Sequence, residues 1–167
     1  MSFRIEAEDF HWIDGSKDDP EDLCLHGHAV VHIADAVLEY DAAVSSTALY
    51  LLKSLSEEHR IGQDNQMLPC CGHFLIADEE LRHVVISGCP YGIDWNIRHI
   101  GDDVEIELED GTKDRIPMEE YRAEVFRFAD AVEAFYRSCT PKALPDDPFR
   151  KNGYTAFWKE WHNRRNS

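Results

Sequence analysis

The sequence has few basic residues for its acidity, and it has no long hydrophobic run. Its 167 residues include 17 Lys+Arg against 33 Asp+Glu, which gives a formal net charge of −16. Such a chain repels phosphate backbones, because nucleic-acid affinity depends on neutralising them. A bilayer span needs about 20 consecutive apolar residues, and no run in the chain approaches that length. These absences predict a protein that binds neither nucleic acid nor a membrane.

Several familiar signatures are also missing. No glycine-rich phosphate loop follows a predicted strand, and strands do not alternate regularly with helices, so dinucleotide-binding and P-loop folds are excluded. The chain begins without a basic region followed by an apolar stretch, and its five cysteines are an odd number. We therefore expect free thiols and a location in the reducing cytoplasm.

Length and patterning predict one α+β domain covering residues 1–167. Strand-like alternation recurs over much of the first 116 residues, interrupted by a predicted helix that starts at Ser45 or Ser46 and ends near His59. A long helix is predicted from Pro117 to about Cys139. The segment 141–148 holds three prolines and is interpreted as a crossover to a short C-terminal helix. This order indicates an antiparallel meander with helices packed on one face.

The long predicted helix carries one continuous apolar stripe. Its members are spaced alternately by three and four residues: Met118, Tyr121, Val125, Phe128, Val132 and Phe135. Such a stripe packs either into the core of the chain or against a second copy. The sequence therefore leaves both a monomer and a homodimer open.

Charge is distributed unevenly along the chain. Residues 149–167 carry five bases and one acid, so the body 1–148 has a net charge of −20. In the tail, Trp158 and Trp161 lie at helical spacing beside Arg164 and Arg165. We interpret this segment as a docking helix whose positive charge lies against the acidic body.

Two acidic segments are candidate sites for a basic protein partner. The first is a loop that contains Asp18, Asp19, Glu21 and Asp22. The second is a hairpin strand that places acids on one face and apolar residues on the other, and its acids are Asp102, Asp103, Glu105, Glu107 and Glu109. We expect this second set to be a fully solvated ladder of repelling charges. The alternative is that the acidity serves only solubility.

Histidines and cysteines form a candidate metal site. His26 and His28 share one face of a predicted strand, and neighbouring imidazoles on one face can bind a transition metal such as zinc. Cys70, Cys71 and His73 supply further ligands if the fold brings them near. The other interpretation is a solvated histidine face with no cofactor at all.

A second cysteine-bearing turn follows two predicted strands. A hairpin places Cys89 near Cys70 or Cys71. Two Cys–His pairs, Cys71 with His73 and Cys89 with His99, could form a thiolate nucleophile. The turn ends at Asp94 and Trp95, which mark either a binding pocket or a turn cap followed by a core aromatic. No third group that would orient a nucleophile is evident, and we assign no catalytic residue.

Two stretches of the sequence resemble small uncharacterised bacterial proteins, some of them of the immunity-protein type. These stretches are 9–24, with Asp9-Phe10-His11-Trp12 and Gly15-Ser16, and 68–95, with Leu68-Pro69-Cys70-Cys71-Gly72 and Gly92-Ile93-Asp94-Trp95. The resemblance implies an acidic, cytosolic, single-domain inhibitor of a basic toxin domain. We expect a non-enzymatic binding module. The alternatives are a metal- or thiol-dependent enzyme centred on the His/Cys cluster and a structural or oligomerisation protein.

Overall fold

The computed structural model describes residues 3–63, 65–72 and 74–167. Within these residues the chain forms ten strands and three helices. Their order along the chain is β1 (Arg4–His11), β2 (His26–Ile33), β3 (Ala36–Ala42), α1 (Val44–Lys53), β4 (Leu68–Pro69), β5 (Phe74–Ala77), β6 (Val84–Ser87), β7 (Gly92–Ile93), β8 (Trp95–Ile100), β9 (Asp103–Leu108), β10 (Lys113–Pro117), α2 (Met118–Ser138) and α3 (Pro148–Arg165).

The predicted α+β class, with antiparallel strands and helices packed against them, is confirmed. Across the described residues the strands form four small sheets. The first sheet has the order β1-β2-β3 and the second has the order β10-β9-β8. The other two are ribbons, β4 with β7 and β5 with β6. All these pairings are antiparallel. The short strands β4 and β7 have too few residues to show any periodicity, and the sequence did not predict them.

Helix α1 is the centre of the core. All its residues from Val44 to Leu52 are buried, because α2, α3 and the first sheet surround it. The helix ends at Lys53, earlier than predicted. The residues after Lys53 leave the helix axis, and His59 pairs with Ile97 of β8 through two backbone hydrogen bonds of 3.0 and 2.8 Å. A tertiary contact thus ends the helix where local propensity did not.

The predicted stripe of α2 packs into the core of its own chain. Tyr121, Val125, Phe128 and Val132 are buried, and Met118 and Phe135 are partly buried against the core. Helix α3 is longer than the short helix predicted, because it begins inside the proline-rich segment. The Asp147 carboxylate accepts a hydrogen bond from the Arg150 backbone N–H, and Pro148 occupies the first turn. None of the helices in the described part is long and apolar enough to span a membrane.

Two buried carboxylates act as partners for the free edges of strands. Glu124 of α2 accepts a 2.9 Å hydrogen bond from the Ile5 N–H, and Arg127 donates to the Ile5 carbonyl at 2.6 Å. On the other side of the core, Glu160 accepts from the Val84 N–H at 2.8 Å and Lys53 donates to the Val84 carbonyl at 2.7 Å. Each acid–base pair therefore satisfies the backbone groups of one strand residue as a neighbouring strand would.

Candidate functional site

The predicted acidic ladder lies on the outward face of the second sheet, and it is neutralised there. Glu105 forms an ion pair with Arg98 of β8, and the register places Arg115 of β10 on its other side. The other two pairs join Glu107 with Lys113 at 3.3 Å and Asp103 with Arg115 at 2.9 Å. The expectation of a fully solvated ladder of repelling charges is wrong for Asp103, Glu105 and Glu107, because the flanking strands supply a base for each of these three acids.

Hydrogen bonds and charge lower the pKa of two ladder carboxyls. The hydrogen bond from Arg98 lowers the pKa of Glu105, and those from Asn96 and Lys113 lower the pKa of Glu107. The remaining predicted members, Asp102 and Glu109, lie in turns and are exposed, and their side chains have no partner among the described residues. Only these two of the five acids keep an uncompensated charge.

The predicted acidic loop is tied to the chain that follows α2. Asp18 accepts three hydrogen bonds from Thr140, at 2.8–3.1 Å. Asp19 accepts from the Glu21 N–H, while Asp22 accepts from two backbone N–H groups. The Glu21 side chain alone is exposed without a partner among the described residues. These acids stabilise turns, and three of the four are engaged in the fold.

The outward face of the first sheet is a second acidic surface, which the sequence reasoning did not single out. Strand register places its side chains on one face: Arg4, Glu6, Glu8, His28, Val30, His32, Val37, Glu39 and Asp41. All of them are exposed or half-buried. Four are acids and one is a base, so this face keeps a negative charge. The alternation in β1 and β3 was the signal that could have identified it.

His28 is at the centre of this face. Its Nδ1 lies 2.8 Å from Asp41 Oδ1 and its Nε2 lies 3.3 Å from Glu39 Oε1, while Glu8 is its neighbour in register on β1. The hydrogen bond with Asp41, followed by that with Glu39, raises the pKa of His28. Each ring nitrogen of His28, either of which could bind a metal, thus lies within hydrogen-bond distance of a carboxylate.

The histidines and cysteines of the predicted metal site separate into two places. His26 stacks on His11 with ring centroids 6.0 Å apart, and His28 is bonded as described above. His73 lies outside the described residues. Cys70 and Cys71 instead meet Cys89, and the three Sγ atoms all lie within 4.8 Å of one another. The structure therefore brings the thiols together, as the hairpin argument predicted for Cys89, and leaves His26 and His28 on the first sheet.

The thiols differ in environment. Cys71 is buried, Cys70 is half-buried and Cys89 is exposed, and all five cysteines of the chain are free. The Cys89 N–H donates to Cys71 Sγ at 3.0 Å. Burial and the neighbouring thiols raise the pKa of Cys70 to about 11. His99, considered as a partner for Cys89, contacts the Ser54 carbonyl through Nε2 at 2.8 Å, so its imidazole is engaged elsewhere.

Asp94 and Trp95 have structural positions. Asp94 Oδ1 lies 2.8 Å from His59 Nε2 and accepts from the N–H groups of Met67 and Trp95 at 3.1 and 3.0 Å. The Trp95 side chain is fully buried. This is the geometry of a turn cap followed by a core aromatic. His59, which sequence reasoning missed as the partner of Asp94, is brought there by its pairing with β8.

The basic C-terminal helix lies against the acidic body. Arg164 forms ion pairs with Glu57 and Glu160, and Arg165 pairs with Asp130 at 2.7 Å. Trp161 is buried and donates its indole N–H to Glu133. The bases and aromatics of this tail therefore hold α3 in place.

A cleft of about 420 Å³ opens beside Cys24, between the end of the acidic loop and the start of α3. Ser45 Oγ donates to Cys24 Sγ at 3.7 Å, and burial raises the pKa of this thiol to about 12. A protonated thiol is a poor nucleophile. Cys24 therefore does not act as an activated nucleophile in this cleft.

Comparisons with protein-family models, curated proteins and solved structures found no match for this chain.

Proposed function

We propose that this protein is an acidic binding module that recognises a basic surface of another protein through the outward face of its first sheet. The observation that carries the proposal is the charge of that face. It holds four acids, Glu6, Glu8, Glu39 and Asp41, against one arginine, Arg4, and the histidine His28. Arg4 pairs with Glu6, and His28 bonds to Glu39 and Asp41. Surface potentials of one sign attract a partner of the opposite sign and speed the encounter.

The contrast with the rest of the surface supports this choice of face. On the second sheet the acids pair with Arg98, Lys113 and Arg115. Near the C-terminus, Arg164 and Arg165 are also used in ion pairs. The second sheet sets three acids against three bases, so its outward face adds little to a long-range field. On the first sheet Glu6 pairs with Arg4, and Glu39 and Asp41 share His28, while Glu8 has no side-chain partner among the described residues. The first sheet therefore keeps a net negative charge that attracts a basic surface.

Two valines give this face a means of excluding water. Val30 lies opposite Glu39 in register, and Val37, which is 57% exposed, lies opposite His32. Interfaces commonly combine a small apolar centre with a charged rim. The aliphatic parts of lysine or arginine side chains can pack on the valines while their charged ends reach the surrounding carboxylates.

The partner class that fits best is a basic, folded protein domain. An immunity-type role, in which the acidic face covers a basic toxin domain, is the specific form of the proposal and follows the sequence resemblance. We place the encounter in the cytoplasm, since the chain's free thiols suit a reducing compartment. The proposed role needs no catalytic group.

The test is a pull-down from the native lysate with a matched pair of variants. The face variant carries Glu8→Gln, Glu39→Gln and Asp41→Asn. The control variant carries Glu79→Gln, Glu109→Gln and Glu119→Gln, three exposed acids outside this face with no side-chain partner among the described residues. Both variants lose the same charge, so they separate a located surface from general acidity.

We expect wild-type protein and the control variant to retain the same basic protein at low salt and to release it at high salt. The face variant should bind it at least about tenfold more weakly, since close charge pairs across interfaces are worth about 1.5 kcal/mol or more. Retention of no basic protein, or equal retention by all three proteins, would contradict the proposal.

A further inference from the structure

The three thiols of Cys70, Cys71 and Cys89 form a cluster that the acidic face does not explain. They come from two segments separated by 18 residues, and their Sγ atoms all lie within 4.8 Å of one another. Among the described residues this is the one group of three or more His, Cys, Asp or Glu side chains whose ligand atoms lie this close together. No disulfide links them.

The backbone holds the two segments in place. Pro69 pairs with Gly92 between β4 and β7, and the Cys70 N–H donates to the Tyr91 carbonyl at 3.0 Å. The Pro69 carbonyl in turn accepts from the Ala43 N–H, which fixes the segment to the start of the buried helix α1. The thiols are thus positioned by the fold before any ligand arrives, so binding orders little additional chain.

Gly88 is required for this close approach. A Cβ atom at this position would lie 2.7 Å from the Cys71 carbonyl oxygen and 2.8 Å from its Sγ. Only glycine lets the backbone before Cys89 pass so near to Cys71. The contact also lets the Cys89 N–H donate to Cys71 Sγ, the kind of outer hydrogen bond that orients metal ligands.

We propose that Cys70, Cys71 and Cys89 form a three-thiolate site for a thiophilic cation, Zn²⁺ or Cu⁺. Zn–S bonds of about 2.3 Å in a tetrahedral arrangement place sulfur atoms about 3.8 Å apart. None of the present separations exceeds 4.8 Å, so each is at most about 1 Å longer than that spacing. Thiolates select these ions over Mg²⁺ and Ca²⁺, which prefer oxygen ligands.

The three cysteines differ in burial, so the site is most open to solvent on one side. Cys71 forms its buried floor, Cys70 is half-buried, and Cys89 is exposed at the rim. A cation can therefore enter from the side of Cys89. Each thiol loses its proton to the solvent as its sulfur binds the ion, so binding releases protons. With three protein ligands, one position on a tetrahedral ion stays open to solvent.

The test uses the full chain without a histidine tag, purified anaerobically under reducing conditions and then freed of reductant. Zn²⁺ and, in a separate arm, Cu⁺ are titrated in competition with a chromophoric chelator, and proton release is measured in weakly buffered solution. The ligand variant is Cys89→Ser, chosen because this side chain is exposed. The matched control is Cys139→Ser, which removes a thiol that bonds to the Lys17 carbonyl instead.

We expect wild type and Cys139→Ser to bind one equivalent of Zn²⁺ or Cu⁺, and the arm that binds more tightly identifies the ion. Cys89→Ser should lose at least about tenfold in affinity, because even outer-shell changes cost about 10–100-fold. It should also release fewer protons while its circular dichroism and melting temperature stay near those of wild type. Failure of the wild type to bind either ion, or equal binding by Cys89→Ser, would overturn the proposal.

A second ligand variant guards against misfolding. If Cys89→Ser melts well below wild type, Cys70→Ser is titrated in its place, with the same expected loss. This inference does not depend on the acidic face, so either proposal can fail without the other.

Discussion

The two three-stranded sheets differ in surface charge although both carry acids at alternating positions: the outward face of the first is negative and that of the second is neutralised. In the second sheet, Asp103, Glu105 and Glu107 lie between strands that supply Arg98, Lys113 and Arg115. In the first sheet, Glu39 and Asp41 bond to His28, and Glu8, which lies opposite the same histidine, has no side-chain partner of its own among the described residues. The acidic alternation of one strand therefore says little about surface charge, because the residues across the register decide whether that charge is neutralised.

The sheets are also anchored differently. The first sheet depends at its β1 edge on the buried Glu124 carboxylate and its half-exposed partner Arg127, which together bind both backbone groups of Ile5. The second sheet runs directly into α2, since β10 ends at Pro117 and α2 begins at Met118. The Met118 N–H also donates to the Asp102 carbonyl at the turn before β9. The first sheet thus has an outward face with a net negative charge, and the Glu124 carboxylate holds its β1 edge against α2.

Removing that carboxylate should produce the largest change. In Glu124→Ala the Ile5 N–H loses its charged acceptor and the half-exposed Arg127 loses its partner, and we expect a loss of about 1.5–3 kcal/mol in the free energy of unfolding. Denaturant unfolding measures it. Glu124→Gln, which keeps an acceptor, should lose less, and Glu120→Ala on the exposed side of the same helix should change little. A loss under about 1 kcal/mol in Glu124→Ala would contradict the proposed anchoring role.

The pH dependence of the same carboxyl gives an independent check. Burial favours the protonated form, but hydrogen bonds from Arg127 and the Ile5 N–H outweigh it, so the pKa of Glu124 is lowered on folding. Its contribution to stability is therefore present above the unfolded pKa and is lost as pH falls through the folded pKa. Glu124→Gln should lack this part of the acid dependence.

Removing the bases of the second sheet should make it resemble the first. We expect the triple variant Arg98→Gln, Lys113→Gln, Arg115→Gln to lose less stability than Glu124→Ala does, since ion pairs between exposed cross-strand side chains are individually weak. Its exposed ladder should also bind an oligolysine probe more tightly than wild type does.

The matched control for this prediction removes three exposed bases that lie outside both sheets, Lys17→Gln, Lys151→Gln and Lys159→Gln. It has the same net charge as the triple variant. Equal unfolding free energies and equal oligolysine affinities in the two variants would show that the cross-strand pairs do not neutralise the ladder.

The smallest effect concerns His28. Asp41, and then Glu39, raise its pKa, so its ring protonates at higher pH than that of an ordinary histidine. The stability from these bonds is fully present below the unfolded pKa and is lost as pH rises through the folded pKa. Protonation adds a positive charge to the acidic face, so affinity for a basic probe should fall as pH is lowered. NMR titration of the ring should show the raised pKa, and Glu39→Gln with Asp41→Asn should return it toward the ordinary value.

Much of the fold was predictable from local pattern. The alternation in β9 and the stripe of α2 identified both elements, because a half-buried strand or helix must repeat its apolar residues at a fixed spacing. The early end of α1 and the pairing of β4 with β7 were not predictable. Both depend on partners far along the chain, Ile97 in the first case and Gly92 in the second.

The candidate sites also include one that the sequence predicted correctly and one whose charge depended on neighbouring strands. The prediction that Cys89 lies near Cys70 or Cys71 rested on a hairpin between them, and the geometry brings them together. The choice of the acidic strand at 103–108 as a docking surface rested on its own residues alone. Its bases lie on two neighbouring strands, and no local pattern in one strand reports what its neighbours carry.

By itself the sequence determined the acidity, the α+β class and the identity of the residues that must be buried, because composition and periodicity are properties of single segments. Only the tertiary structure decided which acids are neutralised and which thiols converge. Strand register and loop approach set those distances, and electrostatic attraction and metal coordination depend steeply on distance.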